Sequence, residues 1–138
     1  MAFAGTNYLA IVLAAVASFV FGGLWYGVFS KPWLAALGKT KEEMSASGSK
    51  VLPFVVSAVA LLIMSFVLAG AIGHLGPGQV TLRNGIISAL FLWGGFVLTT
   101  MLTTYAFQSR KPALAAIDLG HWLGVLLIQG AIIGGMGV

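Results

Sequence analysis

Residues 51–74 read VLPFVVSAVALLIMSFVLAGAIGH, and this stretch decides the fold of the chain. It holds no Asp, Glu, Lys or Arg, and its roughly 24 residues suffice to cross a hydrocarbon core of about 30 Å as a helix. A barrel strand would alternate apolar and polar residues over about ten positions, which this run does not do. The stretch therefore predicts a transmembrane helix, with Pro53 in its first turn, where a missing amide costs little.

Three further stretches have the same character, at about residues 7–29, 84–107 and 112–136. Of the 138 residues, 59% are hydrophobic and 7% are charged, whereas a soluble domain carries about a quarter charged residues. A soluble fold of this size could not bury so much apolar surface, because a small domain leaves much of its surface exposed. The sequence predicts one all-α domain over residues 1–138, an integral membrane four-helix bundle of up-down antiparallel hairpins.

The charges lie mainly in the gaps between these spans. The first gap, residues 30–50, and the third, residues 108–111, hold every Lys and Arg except Arg83. Because Lys-rich and Arg-rich loops stay in the cytoplasm, we expect both gaps to be cytoplasmic and both termini periplasmic, in a bacterial inner membrane. In the first gap, KPWLAALG at residues 31–38 is expected to form a short interfacial helix that ends at Gly38.

Small residues recur at helical spacing on the first and last spans. Such stripes let helix backbones approach closely, which matters in lipid because no hydrophobic force draws helices together there. The last span carries small residues on one face and Asp118, Trp122 and Gln129 nearly opposite, so it should contact protein on two sides. It would then lie centrally in the bundle or meet another subunit. The predicted packing residues are Ala10, Ala14, Ser18 and Gly22 on the first span and Gly120, Gly124 and Gly135 on the last.

Asp118 is the one acidic residue outside the first gap. An aspartate at the centre of a span costs about 2.5–3.5 kcal/mol, and less near the interface, so we expect a partner for it. One interpretation is a proton or cation site with His121, one turn away, as a relay. The other, which we favour, is a carboxyl group near the helix start that hydroxyl or indole N–H groups hold in place. The candidate polar cluster comprises Asp118, His121, Trp122, Gln129, Trp25, Tyr26, Thr99 and Thr103.

Several classes of function find no support in the residues. The chain has no cysteine, which excludes disulfides, thiolate metal sites and cysteine nucleophiles. His74 and His121 fall on opposite sides of the membrane, so they cannot form a metal site within one chain. The net charge of +4 comes from basic residues beside the spans, where they act as membrane anchors. We expect no enzyme activity, no cofactor, no metal and no nucleic-acid partner.

Two stretches of the chain are similar to a known family. They are NYLAIVLAAVASFVFGGLWYGVFSKPW at residues 7–33 and AIDLGHWLGVLLIQGAIIGG at residues 116–135. Both resemble the small membrane proteins grouped as domain of unknown function 1761, in which a tyrosine often stands where His121 stands here. The resemblance implies a four-helix membrane protein of unassigned activity and gives Asp118 more weight than His121. The positions that fit the pattern are Trp25, Tyr26, Lys31, Trp33, Asp118 and Trp122.

Two hypotheses of function follow from the sequence. The first is an integral membrane protein that acts by assembly in the lipid bilayer, as a homo-oligomer or as an accessory subunit of a larger membrane complex. Its basis is the last span, whose two faces both look suited to protein contact. The alternative is a small channel or carrier for protons, cations or a small solute that uses Asp118, which predicts a water-accessible cavity at the level of that residue.

Overall fold

A computed structural model of the chain describes residues 6–46 and 48–138 of the predicted domain 1–138. The described residues form helices and loops without strands. The predicted all-α fold is confirmed, because four helices are long and apolar enough to cross a membrane. The elements are α1 (Tyr8–Val28), α2 (Ser30–Leu37), α3 (Lys41–Ala46), α4 (Leu52–Gly73), α5 (Leu82–Leu92), a π-helical segment (Trp93–Val97), α6 (Leu98–Phe107) and α7 (Pro112–Met136).

The four membrane-length helices are α1, α4, the continuous unit Leu82–Phe107, which we call the third span, and α7. Side chains explain where two of them begin. Asn7 accepts a hydrogen bond from the amide of Ala10 over 3.1 Å at the start of α1. The third span begins before residue 84 because the Thr81 hydroxyl caps it, accepting a bond from the Asn84 amide over 3.1 Å.

The short helix predicted in the first loop is present as α2. It ends at Gly38, whose φ of 72° lies in the left-handed region that favours glycine. Since eight residues are too few for a stable isolated helix, α2 depends on contacts with the bundle.

The helix α7 lies centrally and packs mainly between α1 and α5. In the most apolar 18 residues of α7, 44% are buried inside the bundle. In the corresponding 18 residues of the third span, 11% are buried. The other helices of this chain therefore already cover both protein-facing sides that the sequence predicts for the last span. The core residues that join the helices are Ile11, Ala14, Leu68, Ala69, Ile72, Ala89, Leu126 and Ile133.

Glycines bring α5 and α7 into backbone contact. A Cβ atom at Gly85 would overlap the carbonyl oxygen of Gly130, and one at Gly130 would overlap that of Gly85. One turn on, a Cβ atom at Gly134 would overlap the carbonyl oxygen of Thr81. Only glycine fits at these three positions. None of the three is among the packing residues that the sequence predicts.

The predicted packing residues divide into two groups. Ala10, Ala14 and Ser18 are fully buried in the bundle. Gly22, Gly120 and Gly124 instead give room to aromatic rings, those of His121, Trp25 and Phe21 respectively. The prediction for Gly135 needs correction, because this residue is exposed and the nearest side-chain atom would lie 4.0 Å from its Cβ. The face of α7 that meets α5 is that of Gly130 and Gly134.

Candidate functional site

The carboxyl group of Asp118 is buried where α1, α2, α6 and α7 meet. Its Oδ1 accepts hydrogen bonds from the Tyr26 hydroxyl over 2.6 Å and from the Trp33 indole Nε1 over 3.1 Å. Its Oδ2 accepts a bond from the Tyr105 hydroxyl over 2.6 Å. We call these three donors, Tyr26, Trp33 and Tyr105, the aromatic clamp. Each comes from a different helix, so a single side chain joins three elements to α7.

Among the described residues, the clamp supplies the hydrogen-bond partners of Asp118 and none of them is basic. An indole nitrogen can only donate, which fixes Oδ1 as an acceptor. Burying a polar group is costly unless it is hydrogen-bonded, and both oxygens have partners here. The geometry corresponds to the second interpretation of Asp118, a carboxyl held by hydroxyl and indole N–H groups.

Two further indole rings bond to the backbone of α7. Trp25 Nε1 donates to the carbonyl oxygen of Ile117 over 3.0 Å. From the other side, Trp93 Nε1 donates to the carbonyl oxygen of Leu119, also over 3.0 Å. Gly120 makes the first bond possible, because a Cβ atom there would lie 2.8 Å from the Trp25 ring. Tryptophan side chains therefore fix α7 on both sides at the level of Asp118.

Thr99 and Thr103 do not belong to the cluster, contrary to the sequence prediction. Both are exposed on the outer side of the third span. Their hydroxyls donate to backbone carbonyls one turn earlier, those of Gly95 and Thr99, each over 2.8 Å. The π-helical segment before them makes i→i+5 hydrogen bonds, so it rotates the following residues relative to a regular α-helix. This rotation places Tyr105, and not the threonines, beside Asp118.

Trp33 and Tyr105 are the two site residues that the predicted cluster lacks. A signal for them exists in the sequence, because both are aromatic residues with a polar group and both lie close to segment ends that the positive-inside rule predicts to be cytoplasmic. Such residues usually belong to the aromatic belt at the membrane interface. The sequence does not show that their polar tips turn inward to one carboxyl group.

Gln129 lies apart from Asp118, about 16 Å further along α7. It is fully buried, and its Nε2 donates to Ser18 Oγ over 3.0 Å and to the carbonyl oxygen of Leu61 over 3.2 Å. Ser65 adds a second link, from α4 to the carbonyl oxygen of Ile11 over 2.9 Å. These bonds form a polar seam between α1, α4 and α7 that is separate from the aromatic clamp.

His121 is close to Asp118 in sequence but is not hydrogen-bonded to it. Its ring stacks on Phe21 with 6.1 Å between centroids, and Tyr26 and Trp122 lie at 4.9 Å and 4.7 Å. The side chain is 7% exposed, and Nδ1 is buried with no hydrogen-bond partner among the described residues. The contacts that a relay between His121 and Asp118 would need are therefore not formed.

A cavity of about 430 Å³ lies beside the site, between α1, α2 and α4, and we call it the inner cavity. Tyr26 and Trp33 of the clamp form part of its wall, as does His121. In the described part of the chain no three His, Asp or Glu side chains are grouped as metal ligands would be.

Four membrane-length helices, the last of which carries a buried carboxyl group, define a multi-pass helical membrane protein. The chain belongs to the family described as Protein of unknown function (DUF1761), whose pattern matches residues 9–134. The resemblance that the sequence suggested is thereby confirmed, and the matched residues include the whole aromatic clamp. No curated protein and no solved structure matches the chain.

Proposed function

We propose that this protein is a non-enzymatic membrane protein that acts by assembly, and that a second copy of the chain binds the outer face of its third span. The observation that carries the proposal is a stripe of small residues, Gly95, Thr99 and Thr103, on the least buried span. A spacing of four residues keeps such a stripe on one helix face. We call it the outer stripe.

The outer stripe suits a close helix contact. A Cβ atom at Gly95 would meet nothing within 4 Å, so the backbone there is open to a partner. The threonine hydroxyls already bond to their own helix, which leaves a compact surface with no unpaired donor. Phe91 and Phe96 beside it are 77% and 67% exposed and would pack around an approaching helix.

A second copy is the partner that this surface fits best. A two-fold axis along the membrane normal would bring the same stripe of each copy face to face, as in most symmetric dimers. Many small residues of the other spans are not available for this contact, because Ala10, Ala14 and Ser18 of α1 and the glycines at the crossing of α5 and α7 are used inside the bundle. Gly23 and Gly27 of α1 are exposed as well, so a variant on that face tests the competing surface.

Replacing Gly95 by Leu tests the proposal, because the larger side chain would hold two stripes apart. The matched control is Gly27→Leu, since Gly27 is also an exposed glycine with nothing within 4 Å of its Cβ position. Single-molecule photobleaching in liposomes at decreasing protein density would count the copies. We expect dimers for the unaltered chain and for Gly27→Leu, and monomers for Gly95→Leu. A monomeric unaltered chain at every density, or a Gly95→Leu chain as dimeric as the control, would overturn the proposal.

The contacts of Asp118 favour this function over a channel or carrier. A transport residue must exchange its partners, whereas both oxygens of Asp118 are held by the aromatic clamp. We therefore propose that Asp118 positions helices. Liposomes that contain Asp118→Asn should conduct protons no differently from liposomes that contain the unaltered chain. A proton flux that only the unaltered chain supports would favour the carrier.

A further inference from the structure

We infer that the inner cavity binds a neutral, membrane-soluble molecule that consists of an aromatic or other flat apolar body with one hydroxyl group, which hydrogen-bonds to His121. The inference is independent of the proposed assembly, because the cavity lies between α1, α2 and α4 and the outer stripe lies on the third span.

The cavity has the size and the lining of a ligand site. Its volume of about 430 Å³ falls within the roughly 300–1,000 Å³ that small-molecule sites occupy. Its walls are mostly apolar, with Phe54 of α4 and the rings of Tyr26 and Trp33 among them. Aromatic walls favour a flat ring, which can pack edge-to-face or offset against them.

Two polar side chains in this wall remain available, His121 and Ser57, and His121 is the more deeply buried of the two. The hydroxyl of Tyr26 and the indole nitrogen of Trp33 are both bonded to Asp118. His121, in contrast, is more than nine-tenths buried, and its Nδ1 is buried without a hydrogen-bond partner among the described residues. A buried polar group without a partner is costly, so a ligand that supplies one gains affinity.

The chemistry of imidazole selects the polar group of the ligand. A neutral histidine carries one donor and one acceptor nitrogen. A hydroxyl group can pair with either nitrogen, because it both donates and accepts. A charged group would have to be desolvated in an apolar cavity with no opposite charge in its lining, which is unfavourable.

Two adjacent glycines of α1 provide a matched pair of variants. A Cβ atom at Gly22 would lie 2.9 Å from His121 Nε2, so Gly22→Ala places a methyl group against that nitrogen. Gly23 lines the same cavity, but a Cβ atom there would meet nothing within 4 Å. Gly22→Ala should therefore block the hydrogen bond, whereas Gly23→Ala should leave it free.

The test measures saturable binding of para-hexylphenol to the full chain in lipid nanodiscs, with hexylbenzene as the probe that lacks the hydroxyl. Protein-free nanodiscs correct for partition into lipid. We expect the phenol to bind roughly tenfold more tightly than hexylbenzene. This preference should persist in Gly23→Ala and disappear in Gly22→Ala and His121→Phe. Should His121→Phe fail to fold, the two glycine variants decide.

Three results would overturn the inference. The first is equal binding of the two probes, which would mean that the hydroxyl group finds no partner. The second is a phenol preference that survives in both Gly22→Ala and His121→Phe, which would place the hydroxyl away from His121. The third is uptake that never saturates, which would mean partition into lipid only.

Discussion

Asp118 accepts three hydrogen bonds on two oxygen atoms, and each donor comes from a different helix. In lipid, no water replaces a lost partner, so the cost of a buried carboxyl group depends on these donors. Measured hydrogen bonds between membrane helices nevertheless contribute only about 0.6 kcal/mol on average and about 1.7 kcal/mol at most. Each hydrogen bond of the clamp should therefore contribute modestly to stability, and the three together hold the carboxyl group of Asp118.

We predict that Tyr26→Phe and Tyr105→Phe each lower the free energy of unfolding by about 0.5–2 kcal/mol. Each substitution keeps the ring and removes one donor to Asp118. Unfolding by titration with a denaturing detergent in mixed micelles would measure the change.

Asp118→Leu provides the control for both variants. In the Asp118→Leu background the acceptor is absent, so each tyrosine substitution should lower the free energy of unfolding clearly less than it does in the unaltered chain. The difference between the two values is the coupling energy that a double-mutant cycle measures. Equal costs in the two backgrounds would mean that the tyrosine hydroxyls stabilise the fold through some other contact.

At the scale of helices, the crossing of α5 and α7 depends on glycine. Adding one methyl group at Gly130 would force two backbones apart, because the atom it meets is a carbonyl oxygen of α5 and not a flexible side chain. We predict that Gly130→Ala destabilises the protein by about 1–3 kcal/mol or more. Thermal unfolding followed by circular dichroism would show it as a lower midpoint.

Gly135→Ala is the matched control on the same helix, because its Cβ would have only a distant neighbour at 4.0 Å. This variant should be neutral or slightly stabilising, since alanine favours a helix by up to about 1 kcal/mol over glycine. If the two alanine variants had the same midpoint, the glycine crossing would not be the contact that holds α5 and α7 together.

The helix α2 is fixed to the bundle through Trp33, whose indole nitrogen donates to Asp118. We predict that Trp33→Phe speeds amide hydrogen exchange in Ser30–Leu37 several-fold, because so short a helix unfolds readily once a tether is lost. Exchange in α4 should be unchanged. Ala35→Ser, on the exposed side of α2, serves as the control. Equally fast exchange in that variant would mean that any substitution in α2 destabilises the helix, and not specifically the loss of the bond to Asp118.

The elements differ in how far the sequence determines them. The start of α7 at Pro112 could be predicted, since hydropathy and a proline at the first helical position agree there. The π-helical segment could not, because no proline or charge marks Trp93–Val97. Thr99 and Thr103, which the sequence groups with Asp118, consequently lie on the exposed side of the third span. The glycine crossing of α5 and α7 could not be predicted either, because the point where two helices cross is set by the packing of the whole bundle.

At the site too, some residues can be predicted from the sequence and others cannot. Asp118 stands out from sequence alone, because a lone acid in an apolar span requires a partner. Of its partners, only Tyr26 belongs to the predicted cluster, since Trp33 and Tyr105 look like ordinary interfacial aromatics. The structure also separates Gln129, which the sequence groups with Asp118, into a distinct seam with Ser18.

In the whole molecule, the basic residues and the aromatic clamp lie at the same end of the bundle. The loops at residues 30–50 and 108–111 join the helix ends around Asp118, and they hold every Lys and Arg except Arg83. If the positive-inside rule decides the orientation, the clamp and the inner cavity lie in the cytoplasmic half of the membrane. The rule thus predicts from which side of the membrane the site is reached.

Cysteine labelling tests this orientation directly, because the chain contains no cysteine of its own. Ser45 in α3 and Gln79 in the loop between α4 and α5 are exposed at opposite ends of the bundle, so each can carry a single introduced cysteine. We predict that a membrane-impermeant maleimide labels Gln79→Cys in intact spheroplasts and labels Ser45→Cys only after the membrane is permeabilised. The reverse pattern would place the termini and Arg83 inside and the aromatic clamp in the outer half. Labelling of both positions in intact cells would indicate that the charge difference between the loops does not fix one orientation.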